Sequence, residues 1–435
     1  MLSVKKRIKK LGRKIDKKLR KYKIYKKISK KVKNKIKNIF LKRYEHFIKT
    51  LPVSKDIIIL ESNMGKNYTG NPKFICEKLV ERGLHEKYEI YYVLNKITKS
   101  DIPKGIGRLK RNRLLYFKKM ATAKIWISDS RMSKFLKKRP EQHYIQTWHG
   151  TPLKKLAMDM DDVFMANNQT IEEYKQEFYE NTRDWDYLIA QNQYSSDIFR
   201  RCFSFDKTML NIGYPRNDIL VNKKDDIEYI NMLKEQFKIP LDKKVILYAP
   251  TWRDNEFYGR GRYKFNPALD FDMMQDMLQD EYVMIVKYHY LIMENINWKP
   301  YKGFIYNLDV KYDIALLYLI SDILITDYSS VMFDYSVLKR PMLFFTYDYH
   351  NYANSLRGFY FDFLENAPGP LSTKTEELIF DILHYDYQKY KDKYDAFIKK
   401  FNDFDDGNSA DEVVDLIEDI INKEDLPSNE KVDIY

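Results

Sequence analysis

The 435-residue sequence predicts an α/β protein, two consecutive Rossmann-like units facing a cleft with a basic amphipathic helical arm in front. Three observations carry this reading. Short apolar runs of strand length alternate with helical stretches. That alternation restarts after the turn cluster Gly213–Asp218 (GYPRND). The first forty residues keep a helical apolar period inside a body of lysines. The boundaries that follow are 1–50 for the arm, 51–220 for the first unit and 221–435 for the second.

Bulk composition narrows the function classes. Hydrophobic residues make up 44% of the chain, enough for folded cores. The only cysteines, Cys76 and Cys202, have no CxxC spacing. A disulfide framework or cysteine-rich zinc site is therefore not expected, and a reducing compartment is. No apolar run approaches the ~18 residues of a membrane span. No apolar segment follows the basic N-terminus as a signal peptide would require. The net charge of +14 is unevenly placed: residues 1–50 hold 22 Lys or Arg against Asp16 and Glu45, leaving 54 basic and 60 acidic residues elsewhere. The chain reads as a mildly acidic globule with a cationic arm.

In the arm, apolar or aromatic residues recur at Val4, Ile8, Leu11, Ile15, Leu19, Tyr22, Tyr25, Ile28, Val32, Ile36 and Ile39, in steps of three or four. A helix so patterned has one greasy stripe on a cationic body. It suits the plane of an anionic membrane, with lysine stems reaching up to the headgroups. A solvated tail would not keep the spacing, and a coiled coil would bring lysines together. Nucleic-acid binding is the serious rival, but no nucleic-acid module follows, so no nucleic-acid partner is expected.

After Pro52 the elements follow in order. Asp56–Leu60 (DIIIL) is a buried strand, and Glu61–Asn71 a turn. A helix opens at Pro72, suited to a first turn, and runs to about Arg82. Strand Tyr88–Leu94, a helix around Arg111–Thr122, strand Ile125–Ser128 and strand His143–Thr147 come next. Then come a helix near Thr170–Glu180, strand Leu188–Ala190 and a helix from Ser195. The second series has helix Asp225–Phe237, strand Val245–Tyr248, helix Asp272–Leu278, and strands Tyr282–Lys287 and Phe304–Tyr306. Helix Asp313–Leu319, strand Ile323–Ile325, helix Ser330–Leu338 and strand Met342–Phe345 complete it. A last helix, Ala410–Ile421, has a Gly407-Asn408-Ser409 lead-in that suits a cap.

Four segments lie at predicted strand ends, where open parallel sheets bind ligands. Gln146–Pro152 (QTWHGTP) puts His149 at a cleft edge, with Gly150 open to a phosphate and Thr151 offering a hydroxyl; a histidine there suits a general base, though a structural polar contact is the commoner use. Tyr248–Asp254 (YAPTWRD) offers Pro250-Thr251 and Arg253, whose planar fork grips phosphate oxygens, or is simply a rigid proline loop. Lys287-Tyr288-His289 sets a cation beside a histidine. Thr326–Tyr335 (TDYSSVMFDY) runs from a strand into Ser329-Ser330 at a helix start. Free N–H groups there favour an anion, and N-capping alone also explains the serines. Asp334, one turn along, is placed to accept from a sugar or polyol hydroxyl. No His/Cys/Asp/Glu grouping has metal-ligand spacing, so no metal or cofactor is expected.

Together these segments resemble the CDP-glycerol glycerophosphotransferase family, whose members prime or polymerise teichoic acid and related capsule polymers. The resemblance runs from about Ile57 to Val414. It rests on GKNYTGNPK (Gly65–Lys73), QTWHGTPLKKL (Gln146–Leu156), GYPRNDIL (Gly213–Leu220), YAPTWRD, TDYSSVMFDYSVLKRP (Thr326–Pro341) and DGNSADEVV (Asp406–Val414). It implies a GT-B architecture with the nucleotide held mainly by the second unit. It implies two working histidines, His149 and His289. Donor contacts would fall on Gly150, Thr151, Pro152, Arg216, Pro250, Thr251, Ser329, Ser330 and Asp334, with Lys287 and Arg253 in support. The chain departs from the family at Lys287-Tyr288-His289-Tyr290, where Arg-x-His-Pro is usual.

The reaction so implied is transfer of glycerol phosphate or ribitol phosphate from a CDP-polyol to a lipid-linked acceptor, with release of CMP. The expected place is the cytoplasmic side of the cell membrane, held peripherally. The nearest alternative is a GT-B glycosyltransferase using a UDP-sugar.

Overall fold

The computed structural model describes residues 46, 50–95, 102–133, 135–162, 170–251, 257–259, 262–263, 268–287, 296–308, 312–349 and 358–422. The arm's residues 1–45 lie outside them.

Two parallel sheets form the protein. The first has seven strands in the order β3-β2-β1-β4-β5-β6-β7: β1 Ser54–Glu61, β2 Glu89–Val93, β3 Gly107–Leu109, β4 Ala123–Ser128, β5 His143–Gln146, β6 Tyr187–Ala190 and β7 Thr208–Asn211. The second has six in the order β12-β11-β8-β13-β14-β15: β8 Lys244–Tyr248, β11 Tyr282–Val286, β12 Ile305–Tyr306, β13 Ile323–Thr326, β14 Met342–Phe345 and β15 Leu371–Ser372. Between β8 and β11 a small antiparallel ribbon pairs β9, Phe257–Gly259, with β10, Arg262–Tyr263.

The unbroken apolar runs are explained by burial on both faces. In β1, Ile57 and Ile59 pack with Trp126, Tyr144 and Leu188 on one side. Ile58 and Leu60 pack with Ile125, Ile127 and Ile145 on the other. The second sheet repeats this, Leu247, Ile285 and Leu324 facing one core and Ile246, Met284 and Ile325 the other. Successive side chains point to opposite faces, so a strand covered by helices on both must be apolar throughout.

The structure moves one domain boundary. The last helix, Ser409–Asn422, was expected in the second unit. It instead returns to the first, burying Val413, Val414, Ile417 and Ile421 against the β1 face. Arg82 pairs with Asp415 and Glu418 at 2.6 Å each. Its cap also differs from expectation. Asp218 accepts from the backbone N–H groups of Ser409 and Ala410, at 3.1 and 2.7 Å. The first helix begins earlier than its proline suggested, spanning Gly70–Glu81. Short strands β3, β7 and β15 and the helices Thr375–Leu383 and Tyr387–Phe401 had no sequence expectation.

The domains touch along several seams. The 358–360 segment runs beside residues 153–155, with Lys155 N–H donating to the Gly358 carbonyl at 3.0 Å and Tyr360 N–H to that of Leu153 at 3.0 Å. Asp313 caps its own helix through Ala315 N–H at 2.9 Å and accepts from Gly70 N–H of the other domain at 2.6 Å. One carboxylate thus satisfies two helix starts.

Candidate active site

The carboxyl ends of β5, β8, β11 and β13 meet where the two domains face each other. His149 follows β5 and is exposed. The turn holding it is strained: Trp148 has φ +52°, a region bulky side chains rarely adopt. Three contacts hold it there. Trp148 N–H donates to Gln146 Oε1 at 3.0 Å, and Asn71 Nδ2 donates to the carbonyls of Thr147 and Trp148 at 3.2 and 3.3 Å. The Trp148 indole lies among Phe199, Phe203 and Trp185, and stacks on the His149 imidazole at 4.5 Å between centroids. Asn71 is buried and is the main residue that sequence reasoning missed. It sits inside GKNYTGNPK, but nothing local tells that an Asn at a helix start reaches a turn 76 residues away.

The His149 ring has a defined tautomer. Its Nδ1 lies 2.9 Å from the Asp129 carbonyl oxygen. A carbonyl only accepts, so Nδ1 carries a proton, and in the neutral ring Nε2 holds the lone pair. The Asp129 carboxylate accepts from Asn63 N–H and the Ser130 hydroxyl at 2.8 and 2.7 Å. Burial raises its pKa, against the pull of those bonds and of His149.

Arg216 and Asp334 occupy positions different from those expected. Both are buried, and Arg216 Nη2 is 2.6 Å from Asp334 Oδ2 across the domain boundary. Arg216 Nη1 donates to the His149 carbonyl at 3.0 Å, and its own N–H to Asn71 Oδ1 at 3.2 Å. Asn217 Nδ2 donates to Asp334 Oδ1 at 3.3 Å. Asp334 is thus an acceptor for protein donors; the sequence reading had it face a ligand hydroxyl. Burial pushes its pKa up while Arg216 pulls it down. The network continues into the returning segment through Asp405, which accepts from Asn217, Gln191, Asn402 and the Tyr214 N–H.

Thr151 also turns inward. Its hydroxyl donates to Gln191 Oε1 at 2.7 Å and is met by Asn192 Nδ2 at 2.9 Å and the Ser195 hydroxyl at 3.2 Å. It is 2% exposed and stitches the turn to the helix Gln193–Cys202. Pro152 is buried, its carbonyl accepting from the Tyr194 hydroxyl at 3.1 Å.

Gly150 and Ser330 do come together, with Ser329 half-buried beside Ser330. A Cβ on Gly150 would sit 3.0 Å from Ser330 Oγ and 3.3 Å from its Cβ. The histidine turn of one domain therefore rests on Ser330 of the other with no room to spare. Ser330 precedes the short helix Val331–Tyr335 yet makes no side-chain cap, contrary to the capping reading. Pro250 and Thr251 are half-buried at the end of β8, and Thr251 N–H donates to Asp327 Oδ1 at 2.7 Å. Lys287 follows β11, and its Nζ donates to the Tyr312 carbonyl at 3.2 Å. Arg253 and His289 lie outside the described residues.

A two-domain α/β enzyme with a histidine turn set on a serine of the facing domain is thereby defined. The sequence matches the family CDP-Glycerol:Poly(glycerophosphate) glycerophosphotransferase over residues 43–419, and the chain belongs to that family. It is 45% identical over 370 residues to the teichoic acid poly(glycerol phosphate) polymerase of Bacillus subtilis, covering 84% of this chain and about half (49%) of that relative's length. It is 39% identical to the teichoic acid glycerol-phosphate transferase of Staphylococcus aureus, covering 86% of this chain and 98% of the relative. A solved structure of the wall teichoic acid polymerase TagF, soaked with CDPG, superposes with a TM-score of 0.84 at 40% identity, covering 90% of this chain and 97% of the other.

Proposed function

We propose that this chain transfers glycerol phosphate from CDP-glycerol to the terminal hydroxyl of a lipid-linked acceptor in teichoic acid synthesis, in a GT-B arrangement. The observation that carries the mechanism is the His149 imidazole, exposed at the domain boundary with its Nε2 lone pair available. His149 Nε2 takes the proton of the acceptor hydroxyl. The hydroxyl oxygen bonds to the phosphorus bearing glycerol, the bond from that phosphorus to the bridging oxygen breaks, and CMP leaves with the electron pair. Ser329 and Ser330 offer hydroxyl donors to the pyrophosphate, and fixed donors of this kind stabilise developing charge without reorganising. Lys287 and, from the sequence, Arg253 and His289 supply the cationic side.

The family and the named relatives support a glycerophosphate donor, so the UDP-sugar alternative is not favoured. The test is incubation with CDP-glycerol, CDP-ribitol and UDP-sugars in turn, with a lipid-linked acceptor, reading nucleotide release and product mass. CMP release with a mass gain of one or more glycerol phosphates is expected; UDP release overturns the reading. No metal enters this scheme, and turnover should survive a strong chelator. Complete loss restored by Mg²⁺ would overturn that point.

The proposal includes a place at the cytoplasmic face of the membrane, held peripherally. The cationic, helically periodic sequence of residues 1–50 supports it. Among the described residues no helix is long and apolar enough to cross a membrane.

A further inference from the structure

We infer that the rim Lys110–Leu115 of the first domain is a second membrane contact, one that inserts two leucines into an anionic leaflet and turns the cleft toward it. This deepens the membrane placement proposed above and rests on it.

The apolar part is plain. Leu114 and Leu115 are 82% and 53% exposed. They open the helix Leu114–Thr122, whose Tyr116, Phe117, Met120 and Ala121 are all buried. Met64, 41% exposed, belongs to the neighbouring loop, held to the end of β2 by Asn95 Nδ2 donating to its carbonyl at 3.1 Å.

The surrounding charge says what covers the leucines. From Lys104 to Lys119 there are seven Lys or Arg and no Asp or Glu. Arg111 is paired with Glu61 at 3.0 Å and Lys119 with Glu89 at 2.5 Å. Lys110, Arg113 and Lys118 remain exposed. Lys118 stands one helical turn from Leu114 on the same face, so its stem runs beside the leucine and its ammonium beyond. Leucines ringed by cations match acyl chains under anionic headgroups. Nucleic acid would neutralise the cations but leave the leucines in water. A second copy of the chain would set the same cations against each other.

The rim is also built to hold its shape. Asn112 has φ +60°, and the Leu109 carbonyl accepts from Leu94 N–H at 2.8 Å. Glu61, buried at the end of β1, receives Arg111 and, at 3.4 Å, the Tyr116 hydroxyl. This carboxylate has no part in the phosphoryl chemistry; its work is to pin the segment that carries the leucines.

The rim lies on the working edge of the sheet. It follows the carboxyl end of β3, as His149 follows that of β5. Four strand spacings separate them in the order β3-β2-β1-β4-β5, about 19 Å. Insertion at the rim therefore faces the open side of the cleft to the leaflet from which a lipid-linked hydroxyl arrives.

The test uses the full chain with vesicles of phosphatidylcholine alone or with phosphatidylglycerol. Leu114→Cys is labelled with a solvatochromic dye, since the native Cys76 and Cys202 are buried. A second protein carries Leu114→Ser with Leu115→Ser. A blue shift on anionic vesicles is expected, with partition of the double variant weakened about tenfold or more and its turnover of a soluble acceptor analogue unchanged. An unshifted dye on a chain that sediments with vesicles overturns the inference. So does a double variant that partitions like wild type, or one whose only change is in assembly state. A wild-type chain that ignores anionic vesicles overturns the membrane placement itself, and this inference with it.

Discussion

Arg216 Nη2 and Asp334 Oδ2 stand 2.6 Å apart, one from each domain, and the same guanidinium holds the carbonyl of His149 at 3.0 Å. A single buried ion pair thus ties the attitude of the two domains to the position of the residue proposed as base. Asp334→Asn leaves a buried guanidinium without its counter-charge, and should cost about 3–5 kcal/mol of stability, read by urea denaturation. Arg216→Lys keeps the charge but cannot serve both acceptors, so kcat should fall more than the melting temperature suggests. A variant that loses neither would show the pair to be incidental.

His149 and Asn71 should separate by phenotype. The His149 side chain is exposed, so His149→Ala should leave thermal stability near wild type while kcat drops about 10²–10⁴-fold, the usual span for a lost general base. Asn71→Ala removes two donors from a strained turn and one acceptor from Arg216. It should cost about 1–3 kcal/mol through unpaired buried groups and lower kcat as well. Denaturation curves beside steady-state rates distinguish the two.

The core of the fold was legible in the sequence because both sheets are covered on both faces, which forces runs such as Ile57–Leu60 and Val245–Tyr248 to be apolar throughout. The strands β3 and β15, of three and two residues, carried too little pattern to read. The chain's return to the first domain was hidden for another reason. Val413, Val414 and Ile417 mark a buried helix face, but periodicity does not say against which sheet it packs. The same limit applied at the site. His149 and Ser330 are reachable by motif because a strand end aims them at the cleft. Thr151 and Asp334 share those motifs yet turn inward, and only the neighbours Gln191, Asn192 and Arg216, distant in sequence, reveal that.

Glu61 predicts a pH dependence of stability. Burial lifts its pKa from 4.5 to about 7, with Arg111 pulling against it. Between those values the folded protein keeps a proton that the unfolded chain has released. The stability this represents is fully present below pH 4.5 and is lost as pH rises through 7. Glu61→Gln cannot ionise. Its stability relative to wild type should therefore improve by about 3 kcal/mol between pH 4.5 and 8. Urea titrations of both proteins across that range measure it, and a pH-independent difference would count against a neutral buried carboxyl.

The contact between Gly150 and Ser330 gives the sharpest test of domain approach. An alanine Cβ at 150 meets Ser330 Oγ at 3.0 Å and Cβ at 3.3 Å, closer than such atoms ordinarily come. Gly150 does not have the positive φ seen at Gly65 or Gly213, so backbone strain does not confuse the result. Gly150→Ala must part the histidine turn and Ser330 by a few tenths of an ångström. Misplacement on that scale between reacting groups should lower kcat/KM about tenfold. In a Ser330→Gly background both close atoms are gone, and the same alanine should then have little further effect. The coupling in this double-mutant cycle measures the contact alone, separated from the loss of the serine hydroxyl. Equal effects of the alanine in both backgrounds would mean that the domains do not meet here during turnover.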